Sequence, residues 1–241
     1  MRSFCLPGID FVSGSRVALP GELKKHIEKV LRLKPGARIH LFDGTGRYAE
    51  AVLLADAQVE LGTVAEQPAP PCRITLIQGI PKGDKLELIL QKGTELGVSH
   101  FVLVPMERSV GRIADNRREE RLERWGKIIQ EAARQCHQYH LPQLDLPSSF
   151  STTLADAEGD EKLFLWEESQ AALAGGFAAA QPRSVVVVVG PEGGMSAAEA
   201  TLAETHGFRS VSLGPRILRT ETAGLAIVAI LQYLYGDMAG V

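Results

Sequence analysis

Five consecutive valines, at residues 185–189, are the feature that most limits what this chain can fold into. They are β-branched and have no polar residues in alternation, which predicts a strand buried on both faces of a parallel sheet. Gly190 follows them directly and ends the strand. The run therefore indicates an α/β protein, with a glycine-bearing loop at the carboxyl end of a buried strand.

The loop after the valines has the sequence GPEGG, at residues 190–194. Ser196 and Glu199 then have the spacing of a capping box, which predicts that a helix begins there, and Gly207 is placed to end it. Taken alone, GPEGG is explained equally well by ordinary turns in which glycines supply positive φ and nothing is bound.

A second apolar run, at residues 211–213, precedes a longer loop, GPRILRTET, at residues 214–222. An apolar helix is predicted to follow and to run to Tyr235. The loop exceeds the roughly two to six residues usual between strand and helix, and long loops at strand ends bind ligands in α/β proteins. Its arginines, carboxylate and apolar side chains suit a pocket with apolar walls and a few orienting polar groups.

The remaining elements are predicted from periodicity and turn residues. In the first part of the chain we expect strands at 38–42, 48–54 and 59–64, with a hairpin turn at Asp43 and Gly44. After a proline-rich stretch at residues 66–71 we expect a strand at 73–80, a helix at 82–96 and strands at 99–105 and 162–166. Residues 145–160 show no periodicity and are predicted to be a loop. The proline-rich stretch is a candidate domain boundary.

The pair GPEGG and LGPRILRTETA resembles the C-terminal motifs of the ribosomal RNA small subunit methyltransferase E family, in the SPOUT superfamily of S-adenosylmethionine-dependent methyltransferases. Three other stretches are similar to the family. They are HIEKVLRLKPGARIHLFDGTG at 26–46, PKGDKLELILQKGTELGVSHFVLVPMERSV at 81–110 and LFLWEES at 163–169. The first resembles the family's N-terminal PUA-like barrel, which is implicated in RNA binding.

The resemblance implies a fold and an activity. The fold is α/β, with a SPOUT-type parallel-sheet methyltransferase domain tied in a deep trefoil knot at residues 73–241 and a small PUA-like β-barrel domain at residues 1–68. The activity is methylation of uridine N3 in 16S ribosomal RNA of the small subunit by a homodimer. S-adenosylmethionine is the implied cofactor, held bent in the knot.

The two loops contain most of the predicted cofactor-binding residues, because glycines permit close backbone approach and apolar side chains form a slot. The full set is Leu165, Gly190, Pro191, Glu192, Gly193, Gly194, Leu213, Gly214, Ile217, Leu218 and Thr222. Uracil N3 must lose a proton before or during attack. Arg219 is predicted to stabilise the forming anion, since a guanidinium cannot act as a base. Glu221 is either the base or a favourable charge at its helix N-terminus.

A formal net charge of −3 gives no global attraction to nucleic acid, so RNA binding must rest on local patches. Residues 1–34 contain seven basic and three acidic residues, which is either a phosphate-contacting surface or a solvated face. The predicted RNA-binding residues are Arg2, Lys24, Lys25, Arg108 and Arg112.

Other features limit the class of protein. Three cysteines without a C-x-x-C pair suggest reduced thiols, and with no signal peptide or membrane-length apolar run we expect a cytoplasmic location. Cys136, His137 and His140 are too few for a structural zinc site, so no metal is predicted.

Two other functions are considered. One is a non-catalytic RNA-binding protein whose α/β domain is a dimerisation platform; the other, a nicotinamide-dependent enzyme, is disfavoured because no G-x-G-x-x-G follows a strand.

Overall fold

The computed structural model describes residues 2–55, 58–111, 113, 115–169, 171, 173 and 181–238, and they form two compact units. Unit 1 is drawn from residues 1–69 and 133–141, and unit 2 from residues 70–132 and 142–241. The chain thus leaves unit 1 at the proline-rich stretch and returns to it for nine residues. The amino-acid composition of residues 133–141 does not predict that the chain returns to unit 1 there.

Unit 1 is built on a five-stranded sheet. Its strands are β1 (Arg2–Cys5), β2 (Arg16–Ala18), β3 (Arg38–Phe42), β4 (Arg47–Leu53) and β5 (Gln58–Glu66), in the order β1-β3-β4-β5-β2. β1 and β3 run parallel and the other neighbours antiparallel. A short helix, α1 (Gly21–Lys25), continues as a π-helical turn over His26–Val30, and Ile27 packs into an apolar core with Ile39, Leu41 and Val59.

The hairpin turn predicted at Asp43 and Gly44 joins β3 to β4 and is confirmed. Gly44 has a φ of 84°, which only glycine adopts without strain. The Asp43 carboxylate is buried and accepts bonds from the backbone and side chains of Thr45 and Arg47. Burial raises the pKa of Asp43, but these bonds outweigh it and hold that pKa below its ordinary value.

Unit 2 is built on a six-stranded sheet in which all neighbours run parallel. Its strands are β6 (Arg73–Gly79), β7 (His100–Val104), β8 (Gln143–Asp145), β9 (Glu161–Leu165), β10 (Ser184–Val189) and β11 (Arg209–Val211), in the order β11-β9-β10-β6-β7-β8. The helices are α2 (Lys85–Glu95), α3 (Arg118–Cys136, whose last turn belongs to unit 1), α4 (Phe150–Asp156), α5 (Ala197–Thr205) and α6 (Thr220–Tyr235).

The valine run forms β10, which pairs with β9 on one side and β6 on the other, and all five valines are buried. The predicted α/β fold with a parallel sheet and a small N-terminal β-rich module is confirmed. The knot implied by the resemblance stays a prediction. Among the helices of the described residues, none is long and apolar enough to cross a membrane.

The prediction of a loop at residues 145–160 is wrong, because the segment contains the end of β8 and the whole of α4. β8 pairs only three residues with β7, too few to show a period. α4 has one capped turn and a second behind it: Ser149 accepts from the Thr152 backbone N–H, and Phe150, Thr153 and Leu154 are buried. Seven residues are too short a helix for a convincing hydrophobic period.

Candidate active site

A cavity of about 710 Å³ lies where β9, β10 and β11 end. Its walls are formed largely by three stretches, residues 165–169, 189–195 and 211–220, each of which follows or ends one of these adjacent strands. Parallel strands place their carboxyl ends at the same edge of a sheet, and this is where open α/β sheets bind ligands. The volume lies within the range of about 300–1,000 Å³ typical of small-molecule sites.

Both predicted loops therefore line one cavity. The predicted cofactor-binding residues found in its walls are Leu165, Gly190, Pro191, Glu192, Gly194, Leu213, Gly214, Ile217 and Leu218. Trp166 and Met195 add apolar surface, and Gly214 has a φ of 105° that permits the sharp turn after β11. Ile217 is 82% exposed and stands at the rim.

Two predicted cofactor residues lie outside the cavity wall. Gly193 faces Arg108, whose Nη1 donates to the Gly193 carbonyl oxygen at 3.0 Å, and a Cβ on Gly193 would lie 2.8 Å from the Arg108 Cβ. Thr222 is exposed in the first turn of α6, and Thr220 lines the cavity instead. Residues two apart on a helix point to nearly opposite sides, so Thr220 and Thr222 cannot share a face.

Of the two predicted catalytic residues, one lines the cavity and the other does not. Arg219 lines the cavity and is the N-cap residue of α6. Glu221 is absent from the lining: its carboxylate is largely buried, and its Oε2 has no hydrogen-bond partner among the described residues. The Nζ of Lys85 lies 3.9 Å from that oxygen.

Lys85, at the start of α2, also donates to Glu192 Oε1 at 3.0 Å. The Lys82 backbone N–H donates to the same oxygen at 3.0 Å. Burial raises the pKa of Glu192, but the bonds from Lys85, from its own backbone N–H and from Lys82 outweigh it and hold that pKa below its ordinary value. Lys85 thus stands between two carboxylates, one in each loop region, and it lines the cavity itself.

A buried amide joins the two loops behind the cavity. Gln78, near the end of β6, is fully buried, and its Nε2 donates to Thr220 Oγ1 and to the Gly79 carbonyl oxygen, both at 2.9 Å. The Thr220 hydroxyl in turn donates to the Gly190 carbonyl oxygen at 2.6 Å. The start of α6 is therefore bonded to the ends of β6 and β10.

A second buried contact orients the Arg108 segment. The predicted capping box of α5 is confirmed, with Ser196 and Glu199 bonded reciprocally. The other oxygen of Glu199 accepts from the Glu107 backbone N–H at 2.7 Å. The carboxylate that caps α5 thereby also holds the residue before Arg108, and Arg108 reaches Gly193.

Several cavity residues were not predicted from the sequence. They include Lys85, Trp166, Glu167, Ser169 and Met195, whereas Arg216 and Thr220 lie in the loop that was predicted to form a pocket but were not named as binding residues. Lys85 comes from a helix that precedes the loops by about a hundred residues, and no local pattern links it to them. Gln78 carries a usable signal, since a polar amide inside an otherwise apolar strand must find partners.

The predicted RNA-binding residues are divided between the units. Arg2 and Lys25 are exposed and Lys24 is half-buried in unit 1, whereas Arg108 lies in unit 2 beside the GPEGG loop. Arg112 lies outside the described residues. Within the described ranges, no group of three or more His, Cys, Asp or Glu side chains is arranged to hold a metal ion.

Comparison with known proteins assigns the family. The RNA methyltransferase domain matches residues 68–232, and the RNA methyltransferase PUA domain matches residues 19–58. Over 229 residues the chain is 34% identical to ribosomal RNA small subunit methyltransferase E of Bacillus subtilis, covering 90% of this chain and 89% of the relative. The chain belongs to the ribosomal RNA small subunit methyltransferase E family. The resemblance drawn from the two loops is thereby confirmed.

Another member of the methyltransferase E family, from Synechocystis, is 35% identical over 216 residues, which cover 87% of this chain and 70% of the relative. The crystal structure of methyltransferase E from Neisseria gonorrhoeae, bound to S-adenosyl methionine, superposes with a TM-score of 0.88 at 34% identity and covers 99% of both chains. A putative methyltransferase from Legionella pneumophila with bound cofactor SAM gives 0.89 at 32% identity over 98% of both.

Proposed function

We propose that this chain transfers the methyl group of S-adenosylmethionine to N3 of a uridine in 16S ribosomal RNA of the small subunit, acting as a homodimer in the cytoplasm. The observation that carries the proposal is the meeting of the GPEGG and GPRILRTET loops in one cavity with Arg219 in its wall. The family assignment and the cofactor-bound relatives support the choice of donor.

The cavity residues fit this donor. Gly190 and Gly194 bring backbone close to the cavity, and a Cβ on Gly190 would lie 3.0 Å from the Gly194 carbonyl carbon. Leu165 and Leu213 line it with apolar surface suited to an adenine ring. When bound, the donor supplies an electrophilic methyl group on a sulfonium. The protein's part is to hold that group and the nucleophile close to collinear.

Arg219 is proposed to act on the uracil. The guanidinium of Arg219 donates hydrogen bonds to the uracil oxygens as N3 loses its proton and negative charge spreads onto them. Glu221 lies outside the cavity lining in the first turn of α6, which supports its other predicted role, a favourable charge at that helix N-terminus.

A dimer is supported by the end of α6. Tyr233 and Leu234 are 63% and 47% exposed, and Met238 just beyond the helix is also exposed. These side chains lie within six residues of one another in the sequence, and exposed apolar patches mark interaction surfaces. A second copy of the chain is the proposed occupant.

The test is methyl transfer from labelled S-adenosylmethionine to small-subunit RNA, with the modified nucleotide mapped. We expect Arg219→Ala to lower kcat by about 10²–10³-fold, the usual effect of removing one group that stabilises a developing anion. Calorimetric titration should show that the variant still binds the donor. Arg183→Ala is the matched control, since Arg183 is exposed just before β10, at the opposite end of that strand from the cavity.

Two outcomes would contradict the proposal. Unchanged turnover by Arg219→Ala would remove that residue from the mechanism. Wild-type protein that binds RNA but gives no heat with S-adenosylmethionine would be a binding protein and not a methyltransferase.

A further inference from the structure

Unit 1 carries a cluster of aromatic side chains that the methyl-transfer chemistry does not use. It consists of His40, Tyr48, His137 and Tyr139, which we call the aromatic platform. The rings of Tyr48 and Tyr139 are stacked with centroids 4.3 Å apart, and His40 lies 5.3 Å from Tyr139 and 5.5 Å from Tyr48. His137 stands edge-on to His40 and Tyr139, at 6.4 and 6.3 Å.

The platform is held by contacts beneath and beside it. Phe42, fully buried in β3, packs against Tyr139 at 5.5 Å. Gln67 fixes the segment that carries Tyr139: its Oε1 accepts from the Tyr139 backbone N–H at 2.9 Å, and its carbonyl oxygen is 2.9 Å from His140 Nε2. The Gly46 backbone N–H donates to the Tyr139 carbonyl oxygen at 3.1 Å. The aromatic rings are thus set in place by the backbone around them.

The rings are nevertheless accessible. His40, Tyr48 and Tyr139 are half-buried and His137 is exposed. His137 also has a φ of 61°, a left-handed conformation that disfavours any residue with a Cβ. The left-handed turn at His137 ends α3, with the Gln138 backbone N–H donating to the Ala133 carbonyl oxygen at 3.0 Å, and it leaves the His137 side chain exposed.

The chemistry of the platform matches a nucleobase better than a phosphate. Burial and the neighbouring His137 lower the pKa of His40, which leaves its ring neutral, and burial and Tyr48 raise the pKa of Tyr139, which keeps its hydroxyl neutral. Neutral aromatic faces stack on unpaired bases whatever the sequence.

We infer that the aromatic platform stacks an unpaired base of the RNA substrate, outside the methylation site. The inference rests on the proposed function for the class of ligand, since an RNA methyltransferase must hold RNA beyond the base it modifies. The PUA-domain match, at residues 19–58, includes His40 and Tyr48. The base that stacks here is a neighbour or a looped-out nucleotide and not the methylated uridine.

The experiment measures binding of a short, fluorescently labelled single-stranded RNA to the full chain by anisotropy. Tyr139→Leu, which keeps apolar bulk but removes the ring, should weaken binding by at least about fivefold, the lower end of what loss of one base-stacking ring costs. Tyr139→Phe keeps the ring and should bind within about twofold of wild type.

His137→Gly separates binding from folding. Glycine is the residue best suited to the left-handed conformation at this position, so the variant should be at least as stable as wild type in thermal denaturation. It removes the edge-on ring and should still weaken RNA binding. Loss of RNA affinity without loss of stability supports the platform.

Three results would overturn the inference. One is that the folded Tyr139→Leu variant and the His137→Gly variant, each tested separately, both bind RNA as tightly as the wild type. Another is an equal loss of RNA affinity in Tyr139→Phe and Tyr139→Leu, because the effect would then come from the missing hydroxyl and not from stacking. The third is wild-type RNA affinity for His137→Gly if Tyr139→Leu does not fold. Because RNA binding is measured directly and donor binding separately, failure of methyl transfer would be distinguishable from failure of the platform.

Discussion

At the residue scale, the cavity depends on side chains that stand behind its walls. Gln78 has no surface in the lining, yet its amide bonds Thr220, which does. Its Oε1 is buried without a hydrogen-bond partner among the described residues. A buried amide that is only half satisfied is costly, so the bonds made by Nε2 must offset much of that cost.

Replacing Gln78 with leucine should lower the free energy of unfolding by about 1–3 kcal/mol, because the Thr220 hydroxyl loses a donor inside the protein. Without the link between β6 and α6, the GPRILRTET loop should also loosen, and we expect affinity for S-adenosylmethionine to fall by about tenfold, equivalent to about 1.4 kcal/mol. Denaturant titration and calorimetry measure the two effects.

Gln58→Leu provides the comparison for this substitution, since Gln58 is exposed in β5. It should change stability by less than about 0.5 kcal/mol. If Gln78→Leu bound the donor as tightly as wild type, the amide would stabilise the sheet without positioning the loops.

Sequence reasoning could place residues on the loops but could not choose between neighbours. Thr220 and Thr222 belong to the same motif, and only the point at which α6 begins decides which of them faces the cavity. That point depends on the bonds of Thr220 to Gly190 and Gln78, which are distant in sequence. Lys85 was missed for the same reason.

At the element scale, helices α3 and α2 each contain a glycine, and the space around these two glycines differs. Gly126 in α3 has nothing within 4 Å of a Cβ built on it. Gly93 in α2 would bring its Cβ to 2.8 Å from the ring of Phe101, which is fully buried in β7. The first glycine therefore lies in open space, and the second allows helix and strand to approach closely.

We predict opposite effects for the same substitution in these helices. Gly126→Ala should raise the free energy of unfolding by about 0.5–1 kcal/mol, since alanine loses less backbone entropy in a helix. Gly93→Ala should lower it by about 1–3 kcal/mol, because the core must move to admit a methyl group. Denaturant unfolding of the two variants side by side tests this, and stabilisation by Gly93→Ala would contradict the packing described here.

Helices and strands with long hydrophobic patterns in the sequence were predicted more accurately than those with short patterns. The valine strand and the apolar helix α6 were predicted with bounds close to those observed, because each contains a long continuous apolar run in the sequence. The apolar run at residues 211–213, which precedes the second loop, overlaps β11 only at Val211, because the strand is Arg209–Val211. Its partner β9 determines that register, through pairs such as Arg209 with Leu163, and the local sequence does not show them.

At the scale of the whole molecule, the proposed dimer is open to a direct test. The chain has a mass of 26.1 kDa, and sedimentation equilibrium of the wild type should give twice that value. Introducing a charge with Leu234→Glu should shift the mass toward the monomer, because burying an unpaired carboxylate in an apolar contact is costly. Val30→Glu, at an exposed valine of unit 1, should leave the mass unchanged. A wild-type monomer would refute the proposal.

The division of the chain into units was only partly visible in the sequence. The proline-rich stretch marks one crossing between them, but the return at residues 133–141 carries no linker composition. Within unit 1 that segment is joined through Tyr139, His140 and Gln67, contacts far apart along the chain. Contacts of that kind are absent from local patterns, so the return could not be predicted.

This return has a consequence for how the protein responds to cleavage. A protease that cut once between residues 66 and 71 would not release the amino-terminal piece as a free domain, since residues 133–141 would still belong to it while remaining covalently attached to unit 2 on both sides. The nicked protein would migrate intact until denatured. A recombinant fragment ending at residue 69 would lack the ring of Tyr139 over Phe42 and would expose an apolar patch that the whole chain keeps covered.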